Sequence, residues 1–207
     1  MNTVEWTGNK YYGNDEIHAL SAWTSTHRYM DDGKRARVGD LLNMLADNQH
    51  NSPFEKSLFH FLMRVDTATH IHLLKHRIGV SINGESARYK ELGAPTALIP
   101  SDWPELLQDR LRRHHENCVQ EYKDALKELT PILGRARAKE SARFFLPYAN
   151  QITLDISFNF RSFAHFLGLR MKPNAQKEIR ELAGQMLELV RNLPGKPFER
   201  TIAAFGY

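Results

Sequence analysis

The chain has 207 residues, of which 42% are hydrophobic and 25% are charged, and its net charge is +4. This composition is typical of a globular protein with a packed core and argues against a disordered or fibrous chain. No apolar run approaches the roughly 18 residues that a membrane helix requires, and the single Cys118 excludes an internal disulfide. Since the N-terminus lacks the apolar segment of an export signal, we expect a cytoplasmic protein. The positive charge favours anionic ligands without choosing among them.

The N-terminal third of the chain predicts helices followed by a strand. Residues 1–13 are rich in aromatic side chains and predict an edge strand or an irregular arm. Asn14, or the acidic residue after it, is suited to cap a helix that runs through Trp23. Apolar residues at helical spacing predict a second helix over about 37–49. The short apolar and aromatic segment from Leu58 to Val65 predicts a strand.

The next segment predicts a short helix and then a long loop. Thr67 to Arg77 has helical spacing, and we expect Ala68, Ile71 and Leu74 to face inward, with Leu73 beside them. Residues 78–100 contain several glycines and prolines together with clustered charge. A loop of this length and charge indicates a binding segment more than a plain connection.

The C-terminal half predicts further helices around a strand. Ser101 can cap a helix that reaches Leu129, because the acidic residues that follow suit the helix dipole. Gln151–Phe158 alternates apolar and polar residues, which predicts a half-buried strand. Segments 161–169 and 174–192 predict two more helices. The sequence therefore predicts a single α+β domain over the whole chain, with helices dominant and a small, mostly antiparallel sheet.

A basic stretch from Lys75 to Tyr89 is the most informative part of the chain. Its first residues, Lys75, His76 and Arg77, concentrate positive charge in a way that suits an anionic ligand. After a short interval, the sequence from Ser81 onward reads Ser-x-Asn-x-x-Ser-x-Arg-Tyr. This run resembles the signature of the flavin-dependent thymidylate synthases, in which Arg-His-Arg precedes the same pattern.

A second segment, His50 to Lys56, resembles another signature of this family, His-x-Ser/Thr-Pro-Phe-Glu-His, with Lys56 in place of the last His. The resemblance implies that His50, Ser52 and Glu55 contact flavin. The same residues also predict a helix start, in which Ser52 is the cap and Glu55 completes a capping box. The two interpretations are compatible.

A third region, over 143–179, preserves the family's motifs in order and spacing. It reads Arg-x-x-Leu-Pro, then Asn-x-Arg-Ser-x-x-His-Phe-Leu-x-Leu-Arg, then Ala-Gln-x-Glu-Ile. Arginine presents a planar fork that suits phosphate and carbonyl edges, so Arg161 and Arg170 are binding candidates. Taken singly, each is equally well explained as an exposed surface cation.

The resemblance implies a flavin-dependent thymidylate synthase that uses FAD, with NADPH as reductant. It further implies methylenetetrahydrofolate as the carbon donor and dUMP, or a related pyrimidine nucleotide, as the acceptor. The family builds its sites between the subunits of a homotetramer, so we expect that assembly here. Hydride chemistry belongs to the cofactor, while the protein supplies positioning and electrostatics. We expect no resident metal, no membrane partner and no nucleic-acid partner.

The site residues that the resemblance implies form two sets. Those expected to contact the flavin are His50, Ser52, Glu55, Lys75, His76, Arg77, Asn83, Asn159, Arg161 and His165. Those expected to contact the nucleotide are His72, Lys75, Gly84, Glu85, Ser86, Ala87, Arg88, Arg143 and Arg170. Ser86 and Arg170 are the catalytic candidates, and Arg170 is expected against the uracil ring. Arg88 and Arg143 are expected nearer the phosphate.

Three departures from the family pattern keep other functions open. Lys75 retains charge but loses the bidentate fork of arginine, one additional residue precedes Ser81, and Lys56 replaces a histidine. A divergent relative that forms a 5-hydroxymethyl pyrimidine nucleotide, or uses another pyrimidine nucleotide, therefore stays possible. In a different class, a basic nucleic-acid-binding module would place the same cations on phosphates. That module does not explain the family spacing at Asn159 and His165.

The remaining reactive side chains predict little chemistry. Cys118 is surrounded in sequence by acidic and amide residues, so it lacks the positive setting that activates a thiol. His114 and His115 are adjacent on a charged helix, and no further ligands are spaced to converge on a metal with them.

Overall fold

The computed structural model describes residues 1–86, 88–92 and 96–207. Its strands are β1 (Thr3–Tyr12), β2 (Leu58–Asp66), β3 (Val80–Gly84) and β4 (Gln151–Phe158). Its helices are α1 (Asp15–Trp23), α2 (Asp32–Ala36), α3 (Val38–Asp47), α4 (Thr67–Leu73), α5 (Glu105–Leu133), α6 (Arg135–Ala142), α7 (Phe160–Arg170), α8 (Lys177–Arg191) and α9 (Glu199–Ala204). Short 3₁₀ turns cover Ser52–Glu55 and Arg143–Phe145. Helices dominate, and the predicted α+β class is confirmed.

The strands form one sheet in the order β1-β2-β4-β3. The backbone N–H of Glu85 donates to the carbonyl of Thr153, and the N–H of Asn159 donates to the carbonyl of Gly79. These bonds join the end of β3 to the start of β4 and the start of β3 to the end of β4, so the two strands run in opposite directions. The small antiparallel sheet predicted from the sequence is confirmed.

The chain divides into two compact units by the contacts between its Cα atoms. The first unit contains Met1–Thr3, Met63–Lys75 and Ile82–Asp155. The second unit contains Val4–Leu62, His76–Ser81 and Ile156–Tyr207. Four of the five unit boundaries fall within strands, so each unit holds segments of the sheet.

The first unit is organised by the long helix α5 and the helix α6 that follows it. Tyr122 and Leu126 of α5 pack against Ala138 and Ala142 of α6. The alanines carry no bulky side chain, so the two helices can approach closely and bury the tyrosine ring. The hydroxyl group of Tyr122 accepts the backbone N–H of Leu92 at 3.1 Å, which satisfies the polar end of a buried ring.

The second unit has an aromatic core. The rings of Phe59, Phe158, Phe160 and Phe163 are almost completely buried, and the centroids of Phe59 and Phe163 lie 5.2 Å apart in an edge-to-face arrangement. Burial of each large apolar side chain contributes about 1.5–3 kcal/mol. Helix α8 adds an apolar face of isoleucine, leucine, methionine and valine to this core, while its opposite face is charged.

Most predicted elements are confirmed in the structure, and several begin or end where they were expected. Asn14 caps α1, because its side-chain oxygen accepts the N–H of Ile17. Strand β4 has the predicted bounds, Gln151–Phe158. The aromatic N-terminal segment forms a regular strand, β1, instead of an irregular arm.

Two helix predictions need correction, one in where the helix begins and one in which face is buried. Helix α5 begins at Glu105 and not after a Ser101 cap, because a proline at position 104 excludes helical backbone at Trp103. In α4 the predicted inward face is wrong: Ile71 and Leu74 are exposed at 37% and 46%, whereas Leu73 is fully buried. Asp66 caps this helix by accepting the N–H of Thr69, and the buried residues are Thr69 and Leu73, which lie one turn apart on the same face.

The sequence prediction also missed several short elements. Strand β3 lies within the segment predicted as a loop, because its alternation of apolar and polar residues is only four residues long and is flanked by glycines. Helices α2, α6 and α9 were not predicted, since each is short and lacks a strong apolar period. The predicted capping box at Ser52 and Glu55 is wrong: the 3₁₀ turn there has no side-chain cap. In the described parts of the chain, no helix is both long and apolar enough to cross a membrane.

Candidate functional site

A pocket of about 940 Å³ lies within the second unit. Its lining combines an aromatic ring, several hydroxyl groups, two cations and one carboxylate: Tyr12, Ile17, Ser21, Thr24, Arg28, Glu55, Lys56, Ser57, Leu58, Gly79, Val80, Ser81, Ser157 and Asn159. Each of the three motif regions contributes to it, with Glu55 from the second, Gly79 and Ser81 from the first, and Asn159 from the third. The volume is in the range of pockets that bind large organic ligands.

Glu55 reaches the pocket from a short turn that is anchored in the aromatic core. Phe54, its neighbour, is completely buried, and its ring meets Phe205 edge-to-face at 4.8 Å. Arg161 donates from Nη1 to Glu55 Oε1 at 2.5 Å, with both side chains partly exposed. Because an exposed ion pair contributes only about 0–1 kcal/mol, this pair fixes orientation more than stability. It also neutralises the carboxylate of the pocket.

Asn159 has a structural role in addition to lining the pocket. Its side-chain oxygen accepts the N–H of Ser162 at 2.8 Å and so caps α7. The hydroxyl group of Ser162 donates to the carbonyl of Ile78 at 2.6 Å. The start of α7 is therefore tied to the segment before β3, and Asn159 cannot be moved without disturbing both.

Gly79 occupies the tightest point of this arrangement. Its φ is +65°, and a Cβ added there would lie 2.4 Å from both Asn159 Nδ2 and Ser162 Oγ. Only glycine adopts this backbone without strain and leaves room for the two polar side chains. Gly79 lies in the interval before Ser81 that is one residue longer than the family pattern, and the backbone is left-handed at this point.

A second cluster in this unit joins Arg170 to two histidines. Arg170 donates from Nε to His76 Nε2 at 3.0 Å, and the ring of His165 lies 6.4 Å from that of His76. Burial, with smaller contributions from the nearby charges of Arg170 and His165, lowers the pKa of His76 to about 4. His76 is therefore neutral at pH 7, and its unprotonated nitrogen can accept from the guanidinium group.

The structure brings together only part of the predicted flavin set. Glu55 and Asn159 line the pocket, and Arg161 is paired with Glu55. His76 instead contacts Arg170. The others do not line the pocket: His50, Ser52, Arg77 and His165 are exposed elsewhere in the second unit, and Lys75 and Asn83 belong to the first unit. Their role in flavin binding stays a prediction.

Most residues of the predicted nucleotide set belong to the first unit. They are His72, Lys75, Gly84, Glu85, Ser86, Arg88 and Arg143, whereas Arg170 belongs to the second unit. Ala87 lies outside the described residues. Their role in nucleotide binding stays a prediction.

The loop after β3 is held by local polar contacts. Ser86 Oγ accepts the N–H of Arg88 at 3.3 Å, and Arg88 Nε lies 3.1 Å from a carboxylate oxygen of Glu140. Glu85 accepts from Lys90 Nζ at 2.6 Å. Burial raises the pKa of Glu85, but its bonds to Lys90 and Thr153 outweigh this and leave it below its ordinary value. The carboxylate of Glu85 is thus ionised, and it is already bonded to other groups of the protein.

Sequence reasoning missed Arg28 and Tyr12, which line the pocket. Both lie outside the three motif regions, and neither stands in a periodic pattern that could have indicated a binding role. Lys56 was noticed only as a departure from the family motif, although it too lines the pocket.

The described part of the chain offers no evident metal or thiol chemistry. It contains no group of three or more histidine, cysteine, aspartate or glutamate side chains that could hold a metal ion. Cys118 Sγ lies 3.6 Å from His114 Nε2 on α5, one turn apart on an exposed helix face.

Comparisons with known proteins agree with the motifs. The sequence model of the family described as thymidylate synthase complementing protein matches residues 9–194. A flavin-dependent thymidylate synthase of Streptomyces avermitilis is 28% identical over 209 residues, which cover 90% of this chain and 84% of that protein. One from Nitratidesulfovibrio vulgaris is 31% identical over 168 residues, which cover 77% and 66%.

Among solved structures, a UMP/dUMP methylase, PolB from Streptomyces cacaoi bound with 5-Br dUMP, has a TM-score of 0.77 and 27% identity. The match covers 99% of this chain and 94% of that one. The fold, the pocket and these relatives define an enzyme of the transferase class. The chain belongs to the thymidylate synthase complementing protein family, the family of the flavin-dependent thymidylate synthases.

Proposed function

We propose that this enzyme transfers a one-carbon unit from methylenetetrahydrofolate to C5 of dUMP and forms dTMP, with FAD as cofactor and NADPH as reductant. The observation that carries this proposal is the convergence of all three family motifs on one pocket, through Glu55, Ser81 and Asn159. Motifs that are far apart in sequence gain a common function only if the fold brings them together.

The pocket residues fit a large anionic cofactor. Arg28 and Lys56 supply positive charge, Tyr12 supplies an aromatic surface, and the serine hydroxyl groups can donate to phosphate or carbonyl oxygens. Glu55 adds no net negative charge, because Arg161 neutralises it. When bound and reduced by NADPH, the flavin would supply the hydride that completes the methyl group.

The nucleotide would be held by arginines from the family motifs. Neutral His76 fixes the Nε edge of Arg170, so the guanidinium group is oriented before any ligand arrives. A fork held in this way can polarise a uracil carbonyl and draw electron density from the ring. Arg88 and Arg143 would contact the phosphate, since both are exposed cations in the first unit.

A second acceptor is supported by a specific comparison. The methylase from Streptomyces cacaoi is named for both UMP and dUMP, and its structure with 5-Br UMP matches this chain with a TM-score of 0.74. UMP is therefore a candidate acceptor beside dUMP. Formation of a 5-hydroxymethyl product also stays a hypothesis, because that reaction differs from methyl transfer only in that the transferred carbon is not reduced.

The test of the proposal is flavin uptake followed by product mass. The purified protein should bind FAD and, with methylenetetrahydrofolate and NADPH, convert dUMP or UMP to a product heavier by one CH2, because a methyl group replaces the hydrogen on C5. Competition between dUMP and UMP would identify the preferred acceptor. An additional oxygen in the product would indicate the hydroxymethyl reaction, and a protein that takes up no flavin would sink the proposal.

We also propose a homotetramer with sites shared between subunits. The first unit exposes several large apolar side chains, namely Leu106 at 75%, Ile132 at 74%, Phe144 at 80% and Tyr148 at 68%. Side chains of this size are commonly covered in an assembly. Light scattering should give four times the chain mass, and mixing an Arg88→Ala variant with an Arg161→Ala variant should restore part of the activity. A fully active monomer is the contradicting result.

Replacement of Arg88 should weaken nucleotide binding and leave flavin binding intact. Loss of a charge-assisted phosphate contact costs about 1.5–3 kcal/mol, or roughly tenfold to a hundredfold in affinity. Titration of the Arg88→Ala variant with dUMP measures this. Arg137→Ala is the matched control, because Arg137 also pairs with Glu140 but lies outside the motifs. Equal dUMP affinity in both variants would remove Arg88 from the site.

A further inference from the structure

Two cations outside the arginine motifs stand in the pocket of the second unit. Arg28 and Lys56 both line it and both are exposed. Within residues 1–86, 88–92 and 96–207, neither forms an ion pair with a carboxylate. Glu55, the acidic side chain of the lining, is already matched by Arg161. The pocket therefore presents about two positive charges that no described protein group balances.

The segment that presents Arg28 is held by Lys34. Lys34 Nζ donates to the carbonyl of His27 and lies 3.8 Å from the ring centroid of Tyr29. The residues on either side of Arg28, His27 and Tyr29, thus both contact the ammonium group of Lys34. The ring of Trp23 adds a second cation–π contact at 4.8 Å. Such contacts contribute about 0.5–1 kcal/mol each at exposed sites.

The position of Lys34 is itself fixed by the start of α2. Asp31 caps this helix, because its side-chain oxygen accepts the N–H of Lys34 at 2.7 Å. Arg35, the next residue, donates to Glu16 of α1 at 2.9 Å. Lys34 is therefore anchored by α2 and, through the pair of Arg35 and Glu16, by α1. Its contacts with His27 and Tyr29 hold the irregular segment that carries Arg28 at the pocket wall.

We propose that Arg28 and Lys56 form an oxyanion subsite of this pocket, with Lys34 as the positioning residue for Arg28. The subsite would take a phosphate or carboxylate group of a ligand that occupies the pocket. It rests on the proposed function, whose ligands all carry such a group. The two weighed for this pocket are FAD, whose expected contacts Glu55 and Asn159 line it, and the carboxylate-bearing folate donor. Neither the family motifs nor their spacing assign Arg28, and Lys56 stands where the motif has a histidine.

The test compares ligands that carry the oxyanion with one that lacks it. Arg28→Gln and Lys56→Gln should each lower affinity for FAD, measured by quenching of its fluorescence in apoprotein titrations, by about tenfold. Riboflavin, which has no phosphate, should bind the variants and the wild type equally. If the subsite takes the folate tail instead, FAD affinity will be unchanged and the KM for methylenetetrahydrofolate will rise about tenfold, more for the triglutamate than for the monoglutamate.

Two controls separate a subsite from a general charge effect. Arg37→Gln removes the same charge from an exposed site in the same unit that does not line the pocket, and should change neither quantity. Lys34→Met should lower the affinity for the same ligand as Arg28→Gln does, and Lys34→Arg should restore that affinity. The double variant Arg28→Gln, Lys34→Met should bind the ligand no more weakly than Arg28→Gln alone.

The outcomes also distinguish the subsite from the function on which it rests. If Arg28→Gln and Lys56→Gln bind FAD and use the folate donor as the wild type does, the subsite is overturned while the function stands. If the wild type binds no flavin and transfers no carbon unit, the proposed function has failed, and the subsite fails with it.

Discussion

Gly79→Ala is expected to lower the free energy of unfolding by about 3 kcal/mol or more and to weaken flavin binding with it. A non-glycine residue at a left-handed φ costs about 1–2 kcal/mol. In addition, the new Cβ would lie 2.4 Å from Asn159 Nδ2 and Ser162 Oγ, so both side chains must move. That movement would break the Asn159 cap, which contributes about 0.5–2 kcal/mol, and the bond from Ser162 to Ile78, which contributes about 0.5–1.5 kcal/mol.

The matched control is Gly195→Ala. Gly195 lies in the same unit and has a similar φ of +73°, but a Cβ there would meet nothing within 4 Å. This variant therefore reports backbone strain without steric overlap, and should lose only about 1–2 kcal/mol. Urea unfolding at one protein concentration measures both. If the two variants lose the same stability, the packing described around Asn159 and Ser162 is wrong.

The second large effect is a loss of stability in acid that depends on His18. Burial lowers the pKa of His18 to about 4, because the ring is fully enclosed and lies 5.4 Å from Phe54 and 5.7 Å from Phe160. Both ring nitrogens are also used. Nδ1 lies 3.0 Å from the hydroxyl group of Thr201, and Nε2 lies 2.9 Å from that of Ser57.

The tautomer of His18 follows from the neighbouring bonds. Thr201 donates its hydroxyl hydrogen to Asp15 Oδ1 at 2.5 Å, so toward His18 the hydroxyl oxygen can only accept. Nδ1 therefore carries the hydrogen, and Nε2 accepts from Ser57. Protonation of Nε2 would force the Ser57 hydroxyl group to turn away and would place a charge among aromatic rings.

The sign of the pH effect follows from the folded and unfolded pKa values. Between pH 6.5 and about 4, the unfolded chain binds a proton at His18 and the folded chain does not. The free energy of unfolding therefore falls as the pH falls through this window, by up to about 3 kcal/mol for this histidine. His76, with a pKa also lowered to about 4, acts in the same direction.

Asp15 acts in the opposite direction at the acidic end. Burial raises its pKa, although the bonds from Thr201 and Arg200 oppose the rise. Protonation of Asp15 is therefore easier in the folded chain, and it offsets part of the histidine effect as the pH falls.

The measurement is urea unfolding from pH 7.5 to 4 for the wild type and His18→Gln. The variant should lose stability at pH 7.5, and its dependence on pH should be shallower by about 1.4 kcal/mol per pH unit within the window. His27→Gln, which replaces an exposed histidine of the same unit, is the matched control for the substitution itself. An unchanged slope in the His18 variant would contradict a neutral, buried His18.

The sequence by itself determined the family, the α+β class and the strongest elements. Strand β4 and helices α1, α3, α7 and α8 have clear periodicity or caps, so local pattern was enough to find them. The site residues came from motifs with fixed spacing, and Glu55 and Asn159 do line the pocket. The sequence could not show that Asn159 also caps α7, because that role depends on its side-chain rotamer.

The tertiary structure decided which of these residues meet. Two hydrogen-bonded pairs, Glu55 with Arg161 and His76 with Arg170, join positions about a hundred residues apart. A series of side-chain hydrogen bonds likewise links Ser57, His18, Thr201 and Asp15, which come from distant parts of the sequence. Arg28 lines the pocket from a segment in which the carbonyl of His27 accepts a hydrogen bond from Lys34, seven residues further along the chain. Such contacts leave no periodic trace in sequence, since they depend on how distant elements pack and not on local backbone preference.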